Sequence, residues 1–139
     1  MAIPDTPFGA RVRERLRDDR FVWITTVGED GTPQPNPVWF LWDGGDEVLV
    51  YNDNRARRLE RFANGCRVSL AFQAGPDGMD FAVLTGTARL ATGAPAPQEN
   101  DEYLAKYSAD IAALDDEVGG FAQRYDVPVR ITIERVRGF

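Results

Sequence analysis

The chain contains no histidine, and that absence removes several kinds of chemistry at once. A Ser-His-Asp or Cys-His nucleophile, a His-ligated zinc or haem and an imidazole general base are all excluded. Cysteine is nearly as scarce. Cys66 stands alone, so it makes no intrachain disulfide and no cysteine-based zinc site, and a reducing compartment, the cytoplasm, is expected. No run approaches the ~20 apolar residues that cross a bilayer, and Met1 to Arg20 is polar, without the apolar core of a signal peptide. Neither a membrane partner nor a metal site is expected. P-loop and GxGxxG fingerprints are missing too, since Gly44-Gly45 sits in a hairpin signal. An enzyme built from this chain must draw its reactivity from something other than imidazole.

What is present describes one globular domain spanning residues 1–139: 43% of residues are hydrophobic and 11% aromatic, enough to bury a core. The net charge of −6 is unevenly spread. Basic residues are fifteen arginines and one lysine, Lys106, and Arg55 to Arg61 (RARRLER) sets four arginines against one glutamate. Glu99 to Glu117 holds seven acidic residues and one basic one. Bulk attraction to nucleic acid is excluded by this balance, whereas local capture of an anion is allowed.

The patterning predicts a mainly β protein: a six-stranded antiparallel barrel with helices attached. An N-terminal helix (residues 5–20) starts at Asp5 or Thr6 with Pro7 in its first turn, and Phe8, Val12 and Leu16 share one face. Barrel strands fill residues 21–91 and 129–136. They are Phe21–Val27, Pro33–Trp42, Glu47–Tyr51, Arg67–Gln73, Asp80–Ala91 and Val129–Val136, mostly separated by turn signals such as Glu29-Asp30-Gly31-Thr32. A short helix, Arg55–Ala63, ends at Asn64-Gly65, and helical segments cover residues 98–125, with Gly119-Gly120 weakening the second of them. Pro33, Pro35 and Pro37 mark the second strand as an edge or a bulge, because proline donates nothing to a ladder.

Two stretches could carry chemistry. Tyr51-Asn52-Asp53-Asn54-Arg55-Ala56-Arg57-Arg58 leaves a strand and enters the short helix, placing backbone N–H groups beside adjacent guanidiniums. That pairing suits a phosphate, although an ordinary solvated helix start reads the same way. Pro35-Asn36-Pro37-Val38-Trp39-Phe40-Leu41, donor-poor and bulky, could lie against a planar ring, or Trp39 and Trp42 could simply be core or interface residues. Thr25-Thr26, Cys66 and the carboxylates Asp115-Asp116-Glu117 are read as structural.

Asp43 to Phe72 resembles the flavin-binding split-barrel superfamily, the pyridoxamine 5′-phosphate oxidase-like proteins. The family pattern runs strand, Tyr-x-Asn-x-x-Ser-Arg-Lys, short helix, Asn-Pro, Arg-Val-Ser-Leu. This chain has Tyr51, Asp53 for Asn, Ala56 for Ser, Arg57, Arg58 for Lys, then Asn64-Gly65-Cys66 and Arg67-Val68-Ser69-Leu70, without a gap. Gly86 to Leu90 (GTARL) fits the strand where the family often has Gly-x-Ala. The resemblance implies a six-stranded split β-barrel and a homodimer with its cofactor in the groove between subunits. It implies cofactor phosphate at Arg57 and Arg58, the ring along Asn36, Pro37, Val38, Trp39, Phe40 and Leu41, and Tyr51 and Asn52 near the ribityl–phosphate end.

Departures from the pattern narrow what the resemblance implies. The oxidase's ring-side lysine is Leu41 here, its strand-five glutamine falls near Phe81, and its C-terminal His-Arg substrate motif is missing. The pyridoxal-phosphate and haem-handling branches are therefore disfavoured. The Pro-x-Pro-Val-Trp-Phe strand, Tyr125-Asp-Val-Pro-Val-Arg-Ile131 and the Arg-Val-Arg-Gly-Phe ending are most similar to the deazaflavin-dependent subgroup. Arg55 and Arg61 would suit the longer anionic tail of coenzyme F420, and FMN is the alternative cofactor. The implied activity is hydride transfer to or from a small organic substrate, the ring supplying the redox chemistry. A non-catalytic flavin- or deazaflavin-binding protein for storage or sensing, and a cofactor-free dimer, remain the competing readings.

Overall fold

The computed structural model describes residues 2–56, 58–114 and 116–139. Helix α1 (Pro7–Asp18) opens as its sequence directs: Pro7 fills the first turn, and the Thr6 hydroxyl accepts the Gly9 N–H at 3.0 Å. Val12 and Leu16 are buried, and Phe8 packs against the edge of the same core.

Seven strands form one antiparallel sheet, β1 (Val22–Val27), β2 (Pro33–Val38), β3 (Leu41–Trp42), β4 (Glu47–Asn52), β5 (Cys66–Ala71), β6 (Ala82–Leu90) and β7 (Val127–Gly138), in the order β2-β1-β5-β6-β7-β4-β3. The expected second strand, Pro33–Trp42, is thus two strands, and they lie at opposite edges of the sheet. Val38 ends one edge and Leu41 begins the other, and three trans peptide steps reach at most about 11 Å. The two edges therefore come together, and the sheet is curled into a half-barrel. The break at Trp39-Phe40 is where the chain crosses from edge to edge. As the prolines imply, β2 is an edge, its Pro33, Pro35 and Pro37 opposite Val27, Thr25 and Trp23.

Alternation along the strands fills the roll. Ile24, Val48, Val50, Leu70, Leu84 and Ile131 pack inside it with Phe40 and Phe62. β4 is buried on both faces, because Leu49 and Tyr51 point the other way into a second cluster with Tyr103, Tyr107, Ile111 and Phe121. That second cluster is the underside of α3 (Asp101–Ala113) and α4 (Val118–Arg124), which follow a single 3-10 turn at Pro97–Glu99. α3 runs unbroken from Asp101 to Ala113, because Tyr103, Tyr107 and Ile111 form one buried stripe. Between β6 and β7 the register shifts at Thr85/Gly86, and a Cβ on Gly86 would lie 1.9 Å from the Thr132 carbonyl oxygen.

The edge-to-edge crossing is pinned by one hydroxyl. Tyr107 Oη accepts the Phe40 N–H at 3.0 Å and lies 2.8 Å from the Arg20 carbonyl and 3.0 Å from that of Phe40. Burial pushes the Tyr107 phenol up to about 12, so it stays protonated and donates. Tyr107→Phe leaves the buried Phe40 N–H without an acceptor, and denaturant unfolding should record a loss of about 1–3 kcal/mol. An unchanged midpoint would show that the crossing is held by packing alone.

Candidate functional site

The arginine-bearing segment is built differently from its sequence expectation. Helix α2 covers only Leu59–Phe62, not Arg55–Ala63. The cause is Asp53, whose Oδ1 accepts the Arg55 N–H at 2.9 Å while its carbonyl accepts the Ala56 N–H at 3.0 Å. This Asx-type turn consumes the amides that a helix start would have left free. A four-residue helix also has little macrodipole. Anion capture here must therefore come from side chains.

Arg58 and Arg61 are the side chains available for it. The Arg58 Nε donates to Asn52 Oδ1 at 2.8 Å. Arg61 bonds the Thr26 hydroxyl and, at 2.9 Å, Gln34 Oε1. Both guanidiniums are thus aimed by neutral oxygens, and among the described residues neither has a carboxylate within salt-bridge reach. Burial, with Arg61 adding to it, holds the Arg58 pKa below its ordinary value, yet a guanidinium does not shed its proton. The Asp53 charge, beyond salt-bridge reach, offsets part of the burial cost, and an anion bound at Arg58 would offset more. Asn52 is 1% exposed, and its Nδ2 has no hydrogen-bond partner among the described residues, so a second buried donor stands beside Arg58. Arg55 differs: its side chain is exposed and lies 3.6 Å from Asp53.

Arg58 lines a cavity of about 210 Å³ whose other walls are aromatic and apolar. Pro37, Val38 and Trp39 come from the end of β2 and the crossing, and Tyr51 comes from β4. Tyr103, Leu114, Phe121 and Tyr125 come from α3, α4 and the turns after them. Trp39 stacks with Tyr107 (centroids 4.8 Å apart, planes 1° apart) and with Phe121 (5.5 Å, 18°), and Phe121 stacks on Tyr125 at 4.6 Å. A cationic donor at one wall of a flat-sided apolar slot fits a planar ring that carries a phosphate. A shallower hollow shares Pro37 and Trp39 with this cavity and is completed by Phe21 and Trp23 on the outer face of the sheet.

Groups that could move a proton are mostly engaged. Tyr51 Oη donates to the Pro95 carbonyl at 2.6 Å and accepts from Asn100 Nδ2 at 3.0 Å, and burial raises its pKa. It is a structural strut, not a free acid. Lys106 is held down to about 8 by burial and the Arg20 charge, but its Nζ serves the Phe40 carbonyl at 3.1 Å. Burial likewise pushes the Cys66 thiol up, away from thiolate chemistry.

Of the residues singled out from sequence, Pro37, Val38, Trp39, Tyr51 and Arg58 converge on one cavity, with Asn52 behind Arg58. Arg57 lies outside the described residues. Four residues are placed elsewhere, among them Arg55, exposed beside Asp53. Phe40 is wholly buried in the barrel, its N–H and C=O taken by Tyr107, so it offers no surface to a ring. Leu41 packs against the second cluster, and Asn36 sits opposite Ile24 in the β1–β2 ladder. Tyr103, Phe121 and Tyr125 were missed because their segment reads as an acidic helical decoration. The signal was the recurrence of aromatics at 103, 107, 121 and 125 in helical spacing.

Residues 8–138 match the family model described as pyridoxamine 5′-phosphate oxidase. No curated protein matches the chain by sequence. Among solved structures, a conserved hypothetical protein from Mycobacterium tuberculosis superposes with TM-score 0.68 at 19% identity, covering 98% of this chain and 85% of that one. An F420 reductase superposes with TM-score 0.61 at 20% identity (90% and 94% covered). HutZ, a heme storage protein from Vibrio cholerae, does so with TM-score 0.63 at 13% identity (96% and 95% covered). At these identities the likeness concerns the fold alone.

Proposed function

This chain belongs to the pyridoxamine 5′-phosphate oxidase family, and from that premise we propose that it is a homodimeric oxidoreductase using coenzyme F420, with FMN the alternative. The observation that carries the proposal is the Arg58 guanidinium, half-buried, without a carboxylate partner among the described residues, and lining an aromatic slot. Arg58, with Arg57 beside it in sequence, would hold the phosphate, the Asn52 amide would supply a further donor, and Trp39, Tyr51, Phe121 and Tyr125 would enclose the ring. Arg61, one turn beyond Arg58, adds a second cation on the same side, which suits the longer anionic tail of F420. When bound, the ring supplies hydride transfer to or from a small organic substrate. The protein's own part is to neutralise the phosphate, orient the ring and exclude water from its faces. Titration with both cofactors tests the proposal, as developed in the Discussion.

Storage without turnover is the second reading, favoured by the engagement of Tyr51 and Lys106 in structural hydrogen bonds. Oxidation of the reduced cofactor by a panel of organic acceptors separates the two: turnover supports the enzyme, and tight binding without turnover supports storage.

The same reading pairs two copies of the chain, and the size of the cavity supports it. About 210 Å³ is smaller than the ~300–1,000 Å³ that encloses a drug-sized ligand, which fits a site that a second copy would extend over the adjoining hollow at Pro37 and Trp39. The adjoining outer face carries Phe21 and Trp23, each 38% exposed, and Val27 at 53%, next to three prolines that pair with nothing further. Trp23→Glu should raise the dimer dissociation constant about 30-fold or more in sedimentation equilibrium, the loss of a central aromatic anchor. Cofactor affinity should fall with it. A variant that stays dimeric would place the interface elsewhere.

A further inference from the structure

Helix α4 supplies two walls of the cavity, Phe121 and the following Tyr125, yet little in its own sequence makes it a stable helix. It spans seven residues, has no side-chain cap at its N-terminus and contains Gly119-Gly120, each glycine costing about 1 kcal/mol relative to alanine. Its C-terminal carbonyls are satisfied from outside. The Asn54 N–H donates to the Arg124 carbonyl at 2.9 Å, and Asn54 Nδ2 donates to the Gln123 carbonyl at 3.0 Å. Beside them Arg124 Nε reaches Asp53 Oδ2 at 3.0 Å. The other oxygen of the same carboxylate holds the Arg55 N–H, the bond that shapes the loop leading to Arg58. One pair of adjacent residues therefore closes both the arginine loop and the aromatic wall.

We propose that Asp53 and Asn54 are positioning residues that join the arginine loop to helix α4, so that recognition of a ring in the aromatic slot and of a phosphate at Arg58 are coupled. The proposal rests on the cofactor reading for what fills the slot, and on the hydrogen bonds alone for the latch. Coupling runs both ways: a phosphate that orders the loop tightens α4, and a ring packed against Phe121 and Tyr125 tightens the loop. No hydrogen bond joins Arg58 to either latch residue, since its Nε is oriented by Asn52, although the Asp53 charge acts on it from beyond salt-bridge reach.

The test uses the full-length variants Asp53→Asn, Asn54→Ala, Arg124→Ala and Arg124→Lys, with hydrogen exchange measured on each and ligand binding on Asn54→Ala. In hydrogen exchange without ligand, amides of residues 118–124 should exchange about fivefold faster in the first three variants, the effect of losing one hydrogen bond. Arg124→Lys should recover most of the protection, and strands β5 and β6 should be unchanged, which separates latch loss from general unfolding. In binding to Asn54→Ala, which changes no charge near Arg58, riboflavin and the phosphate-free deazaflavin riboside should weaken by the same factor as FMN and F420, because the slot wall is what has loosened. Unaltered exchange of α4 in Asp53→Asn and Asn54→Ala, or weakening confined to the phosphorylated ligands, overturns the latch. If the wild type binds none of the four ligands, the cofactor reading falls, and the exchange arm still decides whether the latch exists.

Discussion

Arg58→Ala is expected to weaken binding of the phosphorylated cofactor by about 100-fold, while the phosphate-free ring binds within about twofold of wild type. Hydrogen bonds to charged groups contribute about 1.5–3 kcal/mol, and each 1.4 kcal/mol is tenfold in affinity, so a lost guanidinium–phosphate contact falls in this range. The split between the two ligands matters more than the size of the loss. Arg58 is half-buried and held by the neutral Asn52 amide, so its removal strands no carboxylate; leaving the buried Asn52 Oδ1 without its donor should cost about 1–3 kcal/mol of stability while the chain still folds. Equal weakening of both ligands would mean that Arg58 shapes the slot instead of holding the phosphate. Isothermal titration of the two ligand forms against both proteins makes the comparison.

Gly86→Ala should cost more than about 3 kcal/mol in denaturant unfolding, or prevent folding altogether, as overpacking against immovable atoms does. The new Cβ would meet the Thr132 carbonyl oxygen at 1.9 Å and its carbon at 2.9 Å, both backbone atoms with no rotamer to change. β6 and β7 lie inside the sheet order, so neither can step away without breaking the ladders to β5 and β4. The register shift at Thr85/Gly86 is the same close approach seen along the ladder: Thr85 faces Arg135, Gly86 faces Ile133, and Glu134 is left over as the extra residue. That extra carboxylate is taken up outside the sheet by Thr87 and Arg67, at 2.6 Å each. A folded Gly86→Ala variant of unchanged stability would show that β6 and β7 can separate at the bulge.

Local chemistry carried much of this architecture. Thr6-Pro7 starts a helix where a cap and proline should, and Asn64-Gly65 ends one, Gly65 taking φ 78°. The three prolines put β2 at an edge because a ladder has no use for a residue without an N–H. Arg58 was legible from its spacing after Tyr51 and before Arg67-Val68-Ser69-Leu70. The misreadings share a physical origin in contacts that are distant in sequence. Nothing near Trp39-Phe40 announces a crossing between sheet edges; that break is enforced by Tyr107, 67 residues away from Phe40. The aromatic wall likewise depends on α3 and α4 folding back onto Tyr51 and Trp39. The shortened helix at Arg55 is the exception, since the Asp53 side chain competes locally for the amides and could have been foreseen.

The histidine-free composition fits a protein whose reactivity is borrowed. A cation and flat apolar walls line the cavity, with the buried Asn52 amide behind Arg58, groups suited to bind and orient a ring but not to exchange electrons. The most direct test is a paired titration of purified protein with coenzyme F420 and FMN, each beside its phosphate-free counterpart, read by cofactor absorbance and tryptophan fluorescence. Saturable binding of a phosphorylated ring, one per chain, is expected, with F420 the tighter ligand and about 100-fold preference over the phosphate-free form. Binding of neither phosphorylated cofactor, or binding indifferent to the phosphate, would contradict it.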